Sequence, residues 1–286
     1  MLRLCCGLLA CLACVTSNSF VNAFVPSVPS FTGRTTTASS SSWSTQLHNL
    51  LSDIGDMFTG GKLADAPVTM PYSPPMGLGG DGSSSNMDID SKRVFAVQER
   101  ALSFTGEDFD VSLVDPENGS ESSFCRVRGA MLHLPGKDKM RIKDSNTGDL
   151  VCELDRKLVA MTPTYDIYRR DTNEKLGWIE KKAIALTDVF DVYMEGKGGV
   201  GPFKPPPAFS LEGDFIDRTF VMKNAQNEIV AKVIKDYLIQ FDAFNHYQVQ
   251  VAPGMDAYLV VACCCAIDEE FDEEHKAEKE RQQQED

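Results

Sequence analysis

From Ser91 to Pro253 the apolar residues recur at every second position in short runs, and polar turn residues separate the runs. This is the two-residue period of half-buried strands. "RVFAVQERALSF" reads as a first strand and "DFDVSLVD" as a second, with "PENG", "PGKD", "SNTG" and "GKGG" as turn signals further on. One hairpin pattern occurs three times. "MRIKDSNTGDLVCEL", "YDIYRRDTNEKLGWIEKK" and "TFVMKNAQNEIVAKVIKD" each set a strand, a basic residue and a polar turn before an acidic residue and a second strand. The last two copies continue alike, with "AIALTDVFDVYMEG" beside "YLIQFDAFNHYQVQVAPG". The sequence therefore predicts an all-β domain of two related halves, joined by the proline run "GPFKPPPAF".

One segment breaks the period. In "DAYLVVACCCAIDEE" the stretch from Ala257 to Ile267 is apolar at every position, between Asp256 and Asp268. As a helix it rises about 16 Å, roughly half of a ~30 Å hydrocarbon core, so it does not span a bilayer. Cys263, Cys264 and Cys265 point about 100° apart on such a helix and do not converge on one ion. Free cysteine behaves as a small buried hydrophobe. The run is therefore expected to be a core helix, with Tyr258, Leu259, Val260, Val261, Cys263, Cys264, Cys265 and Ile267 enclosed by the strands.

The hairpin repeats, together with the ending "YQVQVAPGMDAYLVVACCCAIDEE" from Tyr247, resemble the LURP-one-related family over about residues 91–270. The most specific element is Y-x-V-x-V-A-P-G-x-D followed by an apolar run and "AIDE". The resemblance implies the fold shared with the tubby carboxy-terminal domain and the phospholipid scramblases. That fold is a closed antiparallel barrel of about twelve strands around a central carboxy-terminal helix. Phosphoinositide binding belongs to the tubby relatives, and transbilayer lipid movement is claimed for the scramblases.

The amino terminus carries a different pattern. "MLRLCCGLLACLACV" places Arg3 before an apolar stretch of signal-peptide length, and Val21 and Ala23 suit cleavage after Ala23. Phe24 then heads a Ser/Thr-rich segment that contains Arg34 and no acidic residue. The pair resembles the bipartite plastid presequences of diatoms and related algae, with a signal peptide over 1–23 and a transit peptide over 24–46; plain secretion is the alternative. Four of the nine cysteines leave with the signal peptide, and those that remain form no disulfide framework. Leu47, Leu50, Leu51, Ile54 and Phe58 then mark an amphipathic segment, followed by a Gly/Pro/Ser-rich stretch that composition assigns to a flexible linker up to residue 90.

Charge is uneven. Residues 268–286 carry ten acidic and three basic side chains, half of the net charge of −14, and read as a solvated acidic helix or a disordered end, with 271–286 as the acidic tail beyond the domain. Residues 91–267 are nearly balanced, which argues against nucleic acid as a partner. His133 and His246 stand alone in the body, with no serine elbow, phosphate loop or H-E-x-x-H motif beside them. The sequence thus points to no enzyme, metal or cofactor.

The strongest local signal is basic. In "CRVRGAMLHLPGKDKMRIKD", Arg126 and Arg128 share one strand face, and Lys139, Arg141 and Lys143 share the face of the next. Paired through the "PGKD" turn, both rows reach the outer surface and suit anionic lipid headgroups, with Asp149 and Glu153 as counterweights. The expected function is a non-enzymatic plastid module that binds anionic lipid or an apolar ligand at a membrane surface. The alternative is a protein-interaction scaffold without a small ligand, and scramblase-like lipid transfer stands third. A fusion of residues 1–60 to a fluorescent protein is expected to reach the plastid, and Phe24→Asp to stop it short of the inner envelopes. Secretion of the unmodified fusion contradicts the plastid address.

Overall fold

The computed structural model describes residues 61–73, 75–77, 89–99, 108–116, 118–129, 139–157, 160–184, 187–196, 204–235 and 246–285. The signal and transit peptides, the Leu47–Phe58 segment and the "PGKD" turn lie outside them. The first six strands are β1 (Arg93–Glu99), β2 (Phe109–Val114), β3 (Glu121–Gly129), β4 (Lys139–Asp144), β5 (Leu150–Arg156) and β6 (Thr164–Arg169). The next six are β7 (Glu174–Lys181), β8 (Val189–Met194), β9 (Phe209–Asp214), β10 (Thr219–Asn224), β11 (Ile229–Lys235) and β12 (His246–Val251). One helix, α1 (Ala257–Glu285), follows. Each strand pairs antiparallel with its neighbours in sequence, and β1 pairs with β12 to close a twelve-stranded barrel. Closure leaves no unpaired strand edge.

The repeated hairpin has a structural signature. β4–β5, β6–β7 and β10–β11 each carry a register shift, at Ile142/Lys143, Ile167/Tyr168 and Met222/Lys223. The turns that join them hold Gly148, Asn173 and Asn227 at positive φ. A bulge beside a left-handed turn residue tightens the local twist and pins register. β2–β3 has the same pair of features, a shift at Val111/Ser112 and Gly119 at φ 69°, so it is a fourth copy that residue-by-residue comparison overlooks.

The helix fills the barrel, as the unbroken apolar run predicts. All positions from Ala257 to Ile267 are at most 2% exposed, including Tyr258, Leu259, Val260, Val261, Cys263, Cys264, Cys265 and Ile267. At one end the Tyr258 hydroxyl donates to Asp144 Oδ2 at the close of β4, 2.7 Å away. At the other, the Tyr247 hydroxyl donates to Asp268 Oδ2 (2.9 Å), and Arg156, the last residue of β5, reaches Glu270 (3.1 Å). The helix therefore runs from the end where even-numbered strands finish to the end where odd-numbered strands finish. Asp268, Glu269 and Glu270 are buried at the mouth rather than solvated. The acidic tail is a continuation of the same helix to Glu285.

The described part of the expected linker is ordered against the barrel. Leu63 bridges Ile229, Ala64 N–H donates to the Ile229 carbonyl (2.8 Å), and Val68 N–H donates to the Pro253 carbonyl (2.7 Å). The fully buried Lys232 donates to the Gly61 carbonyl, and Met76 enters the main core at 2% exposure. Folding thus begins before Ser91. Composition misleads here because few apolar side chains suffice when the segment's backbone groups find partners on the rim of a closed barrel. Gly254, at φ 74°, leaves the approach open: a Cβ there would stand 2.4 Å from the Val68 carbonyl oxygen.

Since the core tolerates lost volume better than a stranded charge, Cys264→Ala is expected to cost about 1 kcal/mol, and Val261→Asp about 4 kcal/mol or more. Chemical denaturation of the two variants checks this. Near-equal midpoints contradict a helix packed on every side.

Candidate functional site

β3 and β4 place the five predicted cations on one outer face. The antiparallel register sets Arg126 opposite Lys143 and Arg128 opposite Arg141, while Val127, Met140 and Ile142 point inward at 1% exposure or less. Lys139 precedes Met140 and so joins the outward row. The structure brings together all five residues that the alternation picked out.

The same face holds carboxylates from the flanking strands. Glu153 on β5 receives Lys139 (3.1 Å), Arg141 (3.2 Å) and Arg170. Lys139 also meets Asp155 at 3.0 Å, Arg126 lies 3.7 Å from Asp110, and Arg128 pairs with Asp108. Sequence reasoning anticipated Glu153. Asp149 instead sits in the β4–β5 turn, where its N–H donates to Thr147. Asp108, Asp110 and Asp155 were missed because register, not proximity in sequence, brings them alongside.

Depth separates the two exposed arginines from Glu153. The Glu153 side chain is 2% exposed, whereas those of Arg126 and Arg141 are each 56% exposed. Glu153 lies low against the sheet with the Arg141 guanidinium over it, whereas Asp110 and Asp155 are about as exposed as Lys139. An approaching surface therefore meets these arginines before Glu153. Burial works to raise the Glu153 pKa, but hydrogen bonds from Lys139, Arg170 and Arg141 outweigh it and hold the carboxyl below its ordinary range.

A second polar cluster lies at the end of the barrel where the helix begins and is structural. Asp256 caps the helix, with Oδ1 accepting from Tyr258 N–H (3.0 Å) and Leu259 N–H (3.4 Å). Its Oδ2 accepts from the Tyr72 hydroxyl and from Met76 N–H, both at 2.7 Å. One carboxylate thus ties the 61–77 segment to the helix. Burial raises its pKa against these four donors. An acidic residue just before a long apolar run is an N-cap signal in sequence, but its second set of partners is not.

The cysteines among the described residues offer no reactive chemistry. Cys125, Cys152, Cys263, Cys264 and Cys265 are free and buried, and burial pushes every one of these thiols well up. A thiol held protonated in an apolar interior is a poor nucleophile and ligand. Among the described residues no helix is long and apolar enough to cross a membrane.

A carboxyl with a depressed pKa supplies stability above its unfolded-state value, and that stability is lost as pH falls through the lowered folded value. Glu153→Gln is therefore expected to cost about 1–2 kcal/mol at pH 7, with the difference from the parent closing below about pH 4. Thermal melts across pH measure it. A deficit that stays constant with pH contradicts the ion-pair account.

The profile of the LURP-one-related family matches residues 93–268. No curated protein sequence matches. Among solved structures, the X-ray structure of an Arabidopsis thaliana protein is similar at 17% identity with a TM-score of 0.45, over 63% of this chain and 91% of the other. The family match begins at Arg93, the first residue of β1, and ends at Asp268, the carboxylate that Tyr247 holds at the barrel mouth. It thus covers the whole barrel and the apolar run of its helix, and the chain belongs to the LURP-one-related family.

Proposed function

We propose that this protein is a non-enzymatic binding module of the plastid whose β3–β4 face docks on an anionic membrane surface. The observation that carries this reading is the exposure of Arg126 and Arg141, each more than half exposed, while Glu153, the partner of Arg141, is buried. It is an external mode of binding. The helix occupies the interior, so an apolar ligand held inside the barrel, and lipid passage through it, find no support in the packing around Val260 and Cys264. The face is also weaker than its basic residues alone suggest, because Asp108, Asp110, Glu153 and Asp155 offset part of the charge.

Each exposed cation near an anionic surface contributes ~1 kcal/mol. Arg126 and Lys143 face each other across the strand pair and are both exposed. Arg126→Gln with Lys143→Gln is therefore expected to weaken binding to phosphatidylglycerol-containing vesicles by roughly 30-fold, as ~2 kcal/mol implies. Stability should stay within about 0.5 kcal/mol of the parent. Since the screening length is ~8 Å at physiological salt, binding should also weaken as salt rises. Vesicle co-sedimentation that ignores both the substitutions and the salt contradicts this function.

A further inference from the structure

Among the described residues the two ends of the barrel differ in kind. Four short turns at the end where the helix begins are polar in sequence: "DPENGS" after β2, "SNTGD" after β4, "RDTN" after β6 and "AQNE" after β10. At the end where the helix leaves, the connections after β5, β7 and β9 carry Met161, Ile184 and Ile216. These side chains are 102%, 95% and 67% exposed, and they are the exposed large hydrophobics among the described residues. Single apolar residues on a surface are ordinary. Three on three successive hairpins of one rim are not scattered. With strands about 4.8 Å apart, the tips of neighbouring hairpins stand roughly 10 Å from each other, so the three form a single arc.

Charge at this rim decides what the arc fits. Among the described residues the cations beside the arc are matched: Lys157 with Asp166 (3.0 Å), Lys181 with Asp188 (3.3 Å), Lys182 with Asp191 (3.3 Å), Arg156 with Glu270 and Arg218 with Asp268 (3.3 Å). Phe271 on α1 is buried, its ring 5.8 Å from that of Phe215, the neighbour of Ile216. Beyond Phe271 the helix continues to Glu285, about 21 Å further along. Residues 272–286 hold seven acidic and three basic side chains. An acidic helix leaving the centre of the rim repels an anionic bilayer and holds a flat surface away from the tips. A protein with an apolar recess and basic flanks meets both features.

We propose that this rim is a protein-docking surface, in which Met161, Ile184 and Ile216 enter an apolar recess of a partner whose basic side chains engage the acidic end of α1. The surface uses other side chains than the β3–β4 face, and its test does not depend on lipid binding. The probe is a fluorescent helical peptide with leucines on one face and lysines on the other, compared with a shuffled peptide of the same composition that segregates no apolar face. The full chain is expected to bind the segregated peptide at least 10-fold more tightly than the shuffled one. Met161→Ser, Ile184→Ser and Ile216→Ser combined should remove that preference without changing the melting temperature. A chain ending at Phe271 should lose most of the salt dependence. Equal affinity for the two peptides, or a preference that survives the triple substitution, overturns the proposal. So does binding to neutral or anionic vesicles that the triple substitution abolishes, which would assign the rim to a bilayer.

Discussion

An antiparallel sheet closed on itself has an inside, and twelve strands enclose more space than their own inward side chains fill. In this protein the space is taken by eleven residues that are apolar on every side of a helix, from Ala257 to Ile267. The dependence is mutual. The strands need the helix because voids forfeit packing, and the helix needs the strands because no aqueous face remains to it. Polar anchors fix its position at both ends: Asp256 and Tyr258 where it enters, and Asp268 and Glu270 where it leaves. The 61–77 segment then closes over the entry through Tyr72 and Met76.

A filled interior moves recognition to the outside, and the outside is divided by topology. A meander places odd-to-even connections at one end and even-to-odd connections at the other, so each end can evolve its own chemistry. The tight polar turns with their bulges serve register at one end. The other carries the exposed apolar tips and the outgoing acidic helix. The β3–β4 face lies on the wall between them, where alternation sorts cations outward from an apolar lining.

Much of this is legible in the residues. Strands and hairpins follow from the period of two and from turn residues such as Asn173 and Asn227, whose side chains tolerate positive φ. The helix follows from the loss of that period, and Arg126, Arg128, Lys139, Arg141 and Lys143 share a face by counting alone. Long-range partners are not legible. Asp110 neutralises Arg126 across a strand pair whose register is set by a bulge, and nothing near either residue in sequence announces it. The 61–77 segment was misjudged for a related reason. Its order comes from donors and acceptors on Ile229 and Pro253, which composition cannot see. The exposure of Met161, Ile184 and Ile216 likewise emerges only when the topology gathers three distant connections at one rim.

If helix and barrel form one cooperative unit, neither opens without the other. Amide hydrogen exchange along α1 tests this most directly. The amides from Leu259 to Ala266 should exchange only through global unfolding, with the same free energy as those of β5 and β11. Exchange of the helix amides at a lower free energy than the strands, with the barrel still protected, would mean that the helix can leave a barrel that stands on its own, and would contradict the account.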